Sequence, residues 1–542
     1  MNKIAGLRNP WNSRGPEVPQ KPQYDEDDDE KFEHVRFLSA MSARLTSVPV
    51  LDIRILLARN GGRYNRLVLL RTDRAARACY RTDGGQVVYG FPESVVHARS
   101  PEDVSEVLRV AQRDRIPVTC RGGGLTTEGE SVASRGILLD LKGMHRLLEC
   151  DGVTAWVEAG MTWHQVAEAL RPRGLDYTSA PLNMLSTVGG TLGVGGIDVN
   201  SPRHGCAADQ AVELEVATPT GEVVRIKEGD DYLERVLLGY GQFGVITKAR
   251  IKVRPYRRMA VRHFLYTDVG VALADMMRLV EEDAVDACAI LTLRDDVIAL
   301  ILGFEGDPKD FPHLSLRHSA EPLVHARIAA RYALRPWRLG EIGFLMRRKA
   351  DLLPALHDPL FVRDGVVCDR TVVFSRLIWR YWGGPQVVIP DLAITKANFE
   401  AAARRGIDVC KRYFPYFTLY AVMIRKFGNR PRYEMSAIPA TGDDHVCGIE
   451  FSPLLEGARY SRDHFQRFKN AIYDVGLDLG GSYYRFGGMM KPYVRRMFGD
   501  EMVDRHRAMK QALDPAFILN RDVVFDPPEA LCGERDVYTR SW

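Results

Sequence analysis

No run of about 18 or more apolar residues occurs in this chain, so no helix is expected to span a membrane. The N-terminus also lacks the apolar stretch of a secretory signal. None of the nine cysteines forms a Cys-x-x-Cys pair, so we expect no zinc site, and their scattered, odd number favours a reducing compartment. The net charge is only +4 in 542 residues. These absences predict a cytoplasmic protein without a membrane span, a bound metal or a nucleic-acid partner.

Two glycine-rich segments are the most informative feature that is present. Arg-Gly-Gly-Gly-Leu-Thr-Thr occupies 121–127, and Thr-Val-Gly-Gly-Thr-Leu-Gly occupies 187–193. The first is not followed by the Gly-Lys-Ser/Thr of a Walker loop, and no helix is expected to open on it as in a Rossmann fold. Glycine permits positive φ and lets consecutive N–H groups approach a ligand, which favours an anion such as phosphate. The segments therefore predict two loops that hold a dinucleotide.

These loops belong to a longer series of motifs. In chain order the series occupies 83–85, 92–96, 100–104, 121–127, 159–163, 186–192, 203–205 and 239–247. Together the motifs resemble the FAD-binding domain of the vanillyl-alcohol oxidase superfamily, and within it the pattern of cytokinin dehydrogenase. Turns alone would explain single glycines, but eight motifs in order favour the FAD interpretation.

The resemblance implies an α+β fold. It consists of a two-subdomain PCMH-type FAD-binding domain and a substrate (cap) domain, in which helices cover an antiparallel sheet. The expected boundaries are an N-terminal extension at 1–85, the FAD-binding domain at 86–256, the cap domain at 257–470 and a C-terminal segment at 471–542 that returns to the flavin domain.

Local signals predict individual elements. Ser100 is a good N-cap before Pro101, and Thr162 caps a second helix. In the first half, strands are expected at 136–140, 153–158, 211–217 and 222–226, with a turn at 219–221. In the cap region, strands are expected at 297–302, 370–377, 386–389, 420–424 and 446–451, and helices at 271–282, 396–413 and 462–476.

Two segments carry unusual charge. Residues 1–35 are rich in proline and acidic side chains and are expected to form an extended or disordered arm. Residues 317–349 are basic and partly apolar. A surface for a membrane, an acidic carrier protein or an acidic substrate is one interpretation of the basic segment, and a solvated helical face is the favoured one.

The resemblance implies two sets of site residues. Those expected to contact the cofactor are Cys120, Arg121, Gly122, Gly123, Gly124, Leu125, Thr126, Glu130, Leu182, Thr187, Gly189, Gly190, Gly193, Ile197, Ile246, Tyr484 and Asn520. Those expected to act in catalysis are Tyr484, Arg485 and Cys206. Arg485 is a candidate to stabilise negative charge on the reduced flavin, and a structural salt bridge is its alternative. Cys206 falls where a relative's pattern has an aspartate near the flavin, and an inert buried thiol is the alternative.

The chain departs from the cytokinin dehydrogenase pattern at two positions. Leu125 stands where that pattern has the histidine that links the flavin covalently, so we expect non-covalent FAD. Leu182 stands where the catalytic aspartate would fall, and a leucine cannot act as a base. The sequence therefore leaves the catalytic base unassigned.

The leading hypothesis is an FAD-dependent oxidase or dehydrogenase that removes hydride from a C–H next to an alcohol oxygen or amine nitrogen of a small molecule. A flavin-dependent reductase of a C=C bond and a flavin-binding protein that has lost catalysis are the alternatives. The electron acceptor is expected to be O₂, a quinone or another protein, and a homodimer is left open as the assembly.

Overall fold

A computed structural model describes residues 53–60, 63–292, 295–320, 322–324, 326–327, 366–368, 386–415, 417–426, 442–453, 460–485, 491–521 and 523–528. The N-terminal arm, the strand expected at 370–377 and most of the basic segment lie outside these residues. The described part is α+β. None of its helices has the length and apolar character that a membrane crossing needs.

The strands are β1 (Ile53–Asn60), β2 (Arg63–Arg71), β3 (Ser94–His97), β4 (Val118–Arg121), β5 (Ile137–Asp140), β6 (Leu147–Cys150), β7 (Thr154–Glu158), β8 (Leu175–Tyr177), β9 (Ala211–Ala217), β10 (Val223–Lys227), β11 (Val245–Pro255), β12 (Met259–Tyr266), β13 (Ala287–Thr292), β14 (Ile298–Glu305), β15 (Val366–Cys368), β16 (Asp391–Ile394), β17 (Phe417–Arg425) and β18 (His445–Pro453). The α-helices are α1 (Arg74–Ala78), α2 (Pro101–Asp114), α3 (Trp163–Leu170), α4 (Val188–Leu192), α5 (Ser201–His204), α6 (Asp231–Val236), α7 (Val269–Glu281), α8 (Phe399–Tyr413), α9 (Arg462–Asp478), α10 (Lys491–Phe498) and α11 (Asp500–Leu513).

The first sheet has the strand order β1-β2-β3-β5-β4, with β3, β5 and β4 parallel. Helix α2 connects β3 to β4. It begins at Ser100, whose side chain accepts a hydrogen bond from the Asp103 N–H, as the sequence predicts. Residues 518–520 run beside β4, since Val118 N–H donates to Ile518 O at 2.9 Å and Asn520 N–H donates to Val118 O at 2.9 Å. The C-terminal part of the chain therefore extends the edge at which the first glycine-rich segment begins.

The second sheet is antiparallel, with the order β10-β9-β11-β7-β6, and β8 pairs with the end of β11. The strands expected at 153–158, 211–217 and 222–226 are confirmed, and so is the turn at 219–221, where Gly221 has a φ of +85°. Helix α3 begins at Thr162 with a reciprocal capping box to Gln165. Its Val166 and Leu170 are fully buried.

The third sheet is antiparallel and has the order β15-β12-β14-β13-β17-β18-β16. The strands expected at 297–302, 420–424 and 446–451 and the three expected helices are confirmed as β14, β17, β18, α7, α8 and α9. The strand expected at 386–389 is wrong, because the ladder begins only at Asp391, after Pro390. Val387 N–H donates instead to Gly85 O at 2.8 Å. An apolar run of this length does not by itself distinguish a strand from a buried irregular segment.

Candidate functional site

The first glycine-rich segment turns away from the end of β4. Its carbonyl groups are held by the segment before it, since Gly84 N–H donates to Gly124 O and Gly85 N–H donates to Thr126 O. None of the described residues accepts a hydrogen bond from the N–H groups of 122–125. Gly124 has a φ of +66°, in the left-handed region that favours glycine. The segment therefore offers consecutive N–H donors, the arrangement that binds phosphate oxygens.

The second glycine-rich segment packs directly on the first. A Cβ added at Gly122 would overlap the Thr187 hydroxyl, so only glycine permits this approach. Gly189 N–H donates to Ala159 O at 2.8 Å, which fixes the start of α4 against β7. The Thr191 hydroxyl is buried and has no hydrogen-bond partner among the described residues. A buried donor of this kind is stabilised when a ligand supplies the missing partner.

Both segments line one cavity of about 340 Å³, which also borders β16, β17 and β18 of the third sheet. The structure brings every expected cofactor contact to this cavity. Those residues are Cys120, Arg121, Gly122, Gly123, Gly124, Leu125, Thr126, Glu130, Leu182, Thr187, Gly189, Gly190, Gly193, Ile197, Ile246, Tyr484 and Asn520. Residues that are far apart in sequence therefore share one surface, which fits a ligand as long as a dinucleotide.

Asn520 forms hydrogen bonds that connect three segments of the cavity wall. Its Oδ1 accepts a hydrogen bond from Cys120 N–H at 2.9 Å, and its Nδ2 donates to Gly241 O at 2.9 Å. Both ends of the side-chain amide are thus engaged with protein backbone. Asn520 therefore positions the first glycine-rich segment as well as bordering the cavity.

A buried acidic group lies behind the first glycine-rich segment. Asp83 accepts hydrogen bonds from Gly129 N–H at 2.8 Å and from the Thr126 hydroxyl at 2.9 Å, and burial raises its pKa to about 6. Burial, with the nearby charges of Glu128 and Asp83, raises the pKa of Glu130 to about 8. Glu130 is therefore protonated near neutral pH, and its carboxyl group can donate a hydrogen bond into the cavity that it lines.

Replacing Glu130 with glutamine should stabilise the apoprotein increasingly as the pH rises. The unfolded chain loses the Glu130 proton near its ordinary pKa of 4.5, whereas the folded protein keeps it until about pH 8, so wild-type stability falls over this interval. Glutamine stays neutral and still accepts the hydrogen bond from Glu128 N–H. At pH 8 we expect the variant to be more stable by at least about 1.4 kcal/mol, the equivalent of one pKa unit, measured by urea unfolding. Equal pH dependence of the two proteins would contradict the assignment.

Tyr484 and Arg485 also border the cavity. The Tyr484 hydroxyl accepts a hydrogen bond from Gly196 N–H. Arg485 donates from Nε to Asp391 at 2.5 Å and from Nη2 to Ile389 O at 3.0 Å. Burial works to lower the pKa of Arg485, but the carboxylates of Asp391 and Glu450 outweigh it and raise the pKa. Much of the positive charge of Arg485 is thus offset by its own neighbours.

Cys206 is the one expected catalytic residue that does not line the cavity. Its thiol is buried and donates to the Asp209 carboxylate at 3.0 Å. Burial raises the pKa of Cys206 far above that of a free thiol, with Asp209 adding to the effect. Such a thiol stays protonated and is a poor nucleophile or base.

Three polar residues of the cavity carry no sequence motif. Asp391, Tyr420 and Glu450 border it from β16, β17 and β18. Each sits in a strand that is mostly buried. A polar residue within a buried strand is the only sequence signal that could have marked them.

Similarity to known proteins supports the same assignment. Residues 92–227 match the FAD binding domain family, and residues 454–524 match the C-terminal domain of FAD linked oxidases. Cytokinin dehydrogenase 7 of Oryza sativa subsp. japonica is 33% identical over 230 residues, which are 40% of this chain and 44% of that protein. Cytokinin dehydrogenase 1 of the same organism is 36% identical over 226 residues, or 39% and 42%. The glycolate oxidase subunit GlcD of Bacillus subtilis (strain 168) is 22% identical over 485 residues, or 85% and 95%.

The chain thus spans less than half the length of these two cytokinin dehydrogenases, and its likeness to GlcD is longer but weaker. The first family match contains both glycine-rich segments, and the second contains Tyr484, Arg485 and Asn520. Both matched regions contribute to one cavity whose loops suit a dinucleotide, so the chain is similar to FAD-linked oxidases in each of these regions, and its cofactor is FAD.

Proposed function

We propose that the protein is an FAD-dependent oxidoreductase that removes hydride from a C–H next to an alcohol oxygen or amine nitrogen of a small molecule. One observation carries the proposal. The cavity is bordered both by the glycine-rich segments and by β16, β17 and β18, which contribute carboxylates and apolar side chains. A cofactor site and a substrate surface therefore face the same space, as hydride transfer requires.

In this proposal the strands of the first two sheets between residues 86 and 256 form the two-subdomain FAD-binding part, and β1 and β2, which precede residue 86, extend the first sheet. The third sheet with α7, α8 and α9 forms the cap at 257–470. The segment at 471–542 returns to the first sheet. The hydrogen bonds of residues 518–520 to Val118 support this arrangement.

Bound FAD supplies a two-electron acceptor for hydride. The N–H groups of 122–125 would hold the FAD phosphates. The Arg121 guanidinium keeps that segment in place by donating to Thr82 O at 2.9 Å and to Ser131 O at 3.2 Å. Leu182 and Ile197 pack against the face of the third sheet and exclude water from the substrate. Tyr484, fixed by Gly196, limits where the substrate lies.

The flavin should be released by acid precipitation. By the resemblance, Leu125 stands at the position of the linking histidine, and it offers no nucleophile. Among the described cysteines and histidines, only Cys120 borders the cavity, and it is partly buried. Burial raises the pKa of Cys120 to about 12, so it is not a thiolate at neutral pH. The measurement is the absorbance of the supernatant after precipitation, with chromatography to separate FAD from FMN. Yellow colour that stays with the denatured chain would contradict the expectation.

The proposed function is tested by anaerobic titration of the purified holoprotein with alcohols, amines and 2-hydroxy acids, followed by the flavin absorbance band. Bleaching by an alcohol or amine supports the proposal. Reoxidation of chemically reduced protein by enones, without bleaching by any donor, would favour a C=C reductase instead.

The electron acceptor in this proposal is O₂, a quinone or a protein. The three are distinguished by adding each in turn to the reduced holoprotein and following the return of the flavin absorbance band. Seven of the described cysteines are free thiols, namely Cys79, Cys120, Cys150, Cys206, Cys288, Cys410 and Cys447, which supports action in a reducing compartment such as the cytoplasm.

A further inference from the structure

Three polar side chains lie side by side on the third sheet. Asp391 is the cross-strand partner of Glu450, and Glu450 is the cross-strand partner of Tyr420. Residues directly opposite each other in an antiparallel sheet point to the same face, with Cβ atoms roughly 5 Å apart. All three border the cavity. We call Asp391, Glu450 and Tyr420 the polar row.

Of the two carboxylates in the polar row, Glu450 is the one that can still accept hydrogen bonds from a ligand. Asp391 already accepts from Arg485 Nε, from Arg485 N–H and from Tyr484 N–H. Within the described part of the chain, Glu450 accepts only from the Ser452 hydroxyl, at 3.2 Å, and its Oε2 lies 3.9 Å from Arg485 Nη2. Burial raises the pKa of Glu450, against the opposing effect of Arg485. Glu450 is therefore a stronger base than an exposed glutamate and is less engaged than Asp391.

Tyr420 supplies an unsatisfied donor beside this carboxylate. Its hydroxyl is buried and has no hydrogen-bond partner within the described part of the chain, while the residue as a whole is 9% exposed. A buried phenol hydroxyl without an acceptor destabilises the folded protein, and a ligand that accepts its hydrogen bond removes this cost. Burial raises the pKa of Tyr420, so the hydroxyl remains neutral and able to donate.

The next row along the same strands is apolar. Ala393, Gly448 and Val422 are cross-strand partners, two residues further on, and all three border the cavity. Gly448 leaves space there, since an added Cβ would lie at ordinary contact distance, 3.4 Å from Ile424 and 3.5 Å from Val422. The sheet therefore presents one polar strip and one apolar strip, which suits a ligand with a single polar group and an apolar body.

The charges of the polar strip decide which polar group it accepts. Two carboxylates, Asp391 and Glu450, stand against the single cation Arg485, whose guanidinium is held by Asp391 and by Ile389 O. Among the described residues that border the cavity, the cations are Arg121 and Arg485, and both guanidinium groups are engaged with protein acceptors. A carboxylate ligand would therefore find no free cation among these residues and would be repelled by Glu450. An ammonium, amine or hydroxyl group would donate to Glu450 instead.

We propose that Glu450 is the catalytic base, that Tyr420 hydrogen-bonds the same substrate heteroatom, and that the polar row selects neutral or cationic substrates over carboxylates. The inference rests on the proposed function. In the step that it describes, the O–H or N–H proton passes to a Glu450 carboxylate oxygen, and the neighbouring C–H bond breaks with transfer of hydride to FAD. The two electrons reduce FAD, and the substrate becomes a carbonyl or an imine.

The first experiment measures binding without turnover. Holoprotein is titrated calorimetrically with 2-phenylpropan-2-amine and with 2-methyl-2-phenylpropanoate, which share an apolar body and have no oxidisable C–H beside the heteroatom. Matched pairs with methyl and naphthyl bodies extend the range of sizes. We expect the amine of at least one pair to bind at least about tenfold more tightly than its carboxylate, the equivalent of one charge interaction in a partly buried site.

Single variants distinguish the role of Glu450 from that of Tyr420. In Glu450→Gln the preference for the amine should fall to less than about threefold, and the single-turnover rate of flavin reduction should fall at least about 100-fold, as expected for loss of a general base. In Tyr420→Phe the affinity for amines and alcohols should fall about fivefold to tenfold, as for one lost hydrogen bond, with a smaller change in the limiting rate. Glu282→Gln and Tyr89→Phe, at exposed positions, are the matched controls. FAD affinity should be unchanged in all four.

The outcomes are distinct. Carboxylates that bind as tightly as their amines, absence of binding by every amine, or a Glu450→Gln variant with wild-type rate and preference would overturn the inference while leaving an FAD-dependent reaction in place. Holoprotein that no alcohol, amine or 2-hydroxy acid reduces would instead overturn the proposed function. Reduction by 2-hydroxy acids alone would keep the oxidoreductase and reject the selectivity of the polar row.

Discussion

Replacing Gly123 with valine should lower the affinity for FAD by at least about tenfold, or about 1.4 kcal/mol. Gly123 is exposed to the cavity, between Gly122 and Gly124, whose N–H groups have no acceptor among the described residues. Its added Cβ would lie 3.1 Å from Leu185 O and 3.4 Å from the Leu125 side chain, so the valine side chain has little room except on the cavity side. The measurement is reconstitution of apoprotein with FAD, followed by flavin fluorescence.

A second variant tests the other loop independently. Gly190 is also exposed, and an added Cβ would meet only the Thr187 hydroxyl, at 3.1 Å, so Gly190→Val should perturb the fold less than Gly123→Val does. Gly190→Val should nevertheless lower the affinity for FAD to a similar degree. Gly442→Val is the matched control, because its Cβ would meet nothing within 4 Å and the residue does not line the cavity. Wild-type FAD content in both loop variants would show that the cofactor lies elsewhere.

The loops could be predicted from the sequence because their requirement is local. Gly124 adopts a positive φ, and Gly122 lies too close to Thr187 for a side chain, so the reason for each glycine lies within its own loop contact. Helix α2 was equally predictable, since Ser100 and Pro101 specify its first turn by themselves.

The polar row could not be predicted in this way. Asp391, Tyr420 and Glu450 come together only through the register of β16, β17 and β18, and a shift of one residue in either pairing would turn a side chain away from the cavity. No local propensity fixes that register. The same limit explains the error at 386–389, where a contact with Gly85, about three hundred residues earlier in the chain, decides the conformation.

Replacing Lys469 with methionine should destabilise the protein by about 3–5 kcal/mol, because it leaves the charge of Glu128 buried without its partner. The side chains of Lys469 and Glu128 are 0% and 1% exposed and form an ion pair, and the Tyr473 hydroxyl donates to Glu128 at 3.2 Å. The loss should appear as a lower urea midpoint for the apoprotein. Lys396→Met is the control, since its partner Glu281 is 51% exposed and pairs of that kind contribute at most about 1 kcal/mol.

The double variant Lys469→Met/Glu128→Gln should recover most of that loss, because glutamine carries no charge and still accepts from Tyr473. The pair also connects two parts of the site. Glu128 directly follows the first glycine-rich segment, and Lys469 lies on α9. The single variant should therefore bind FAD less tightly than the double variant, whose loop is no longer next to an unpaired charge. If Lys469→Met were as stable as wild type, or if the double variant were less stable than the single one, the pair would not be what holds the loop against α9.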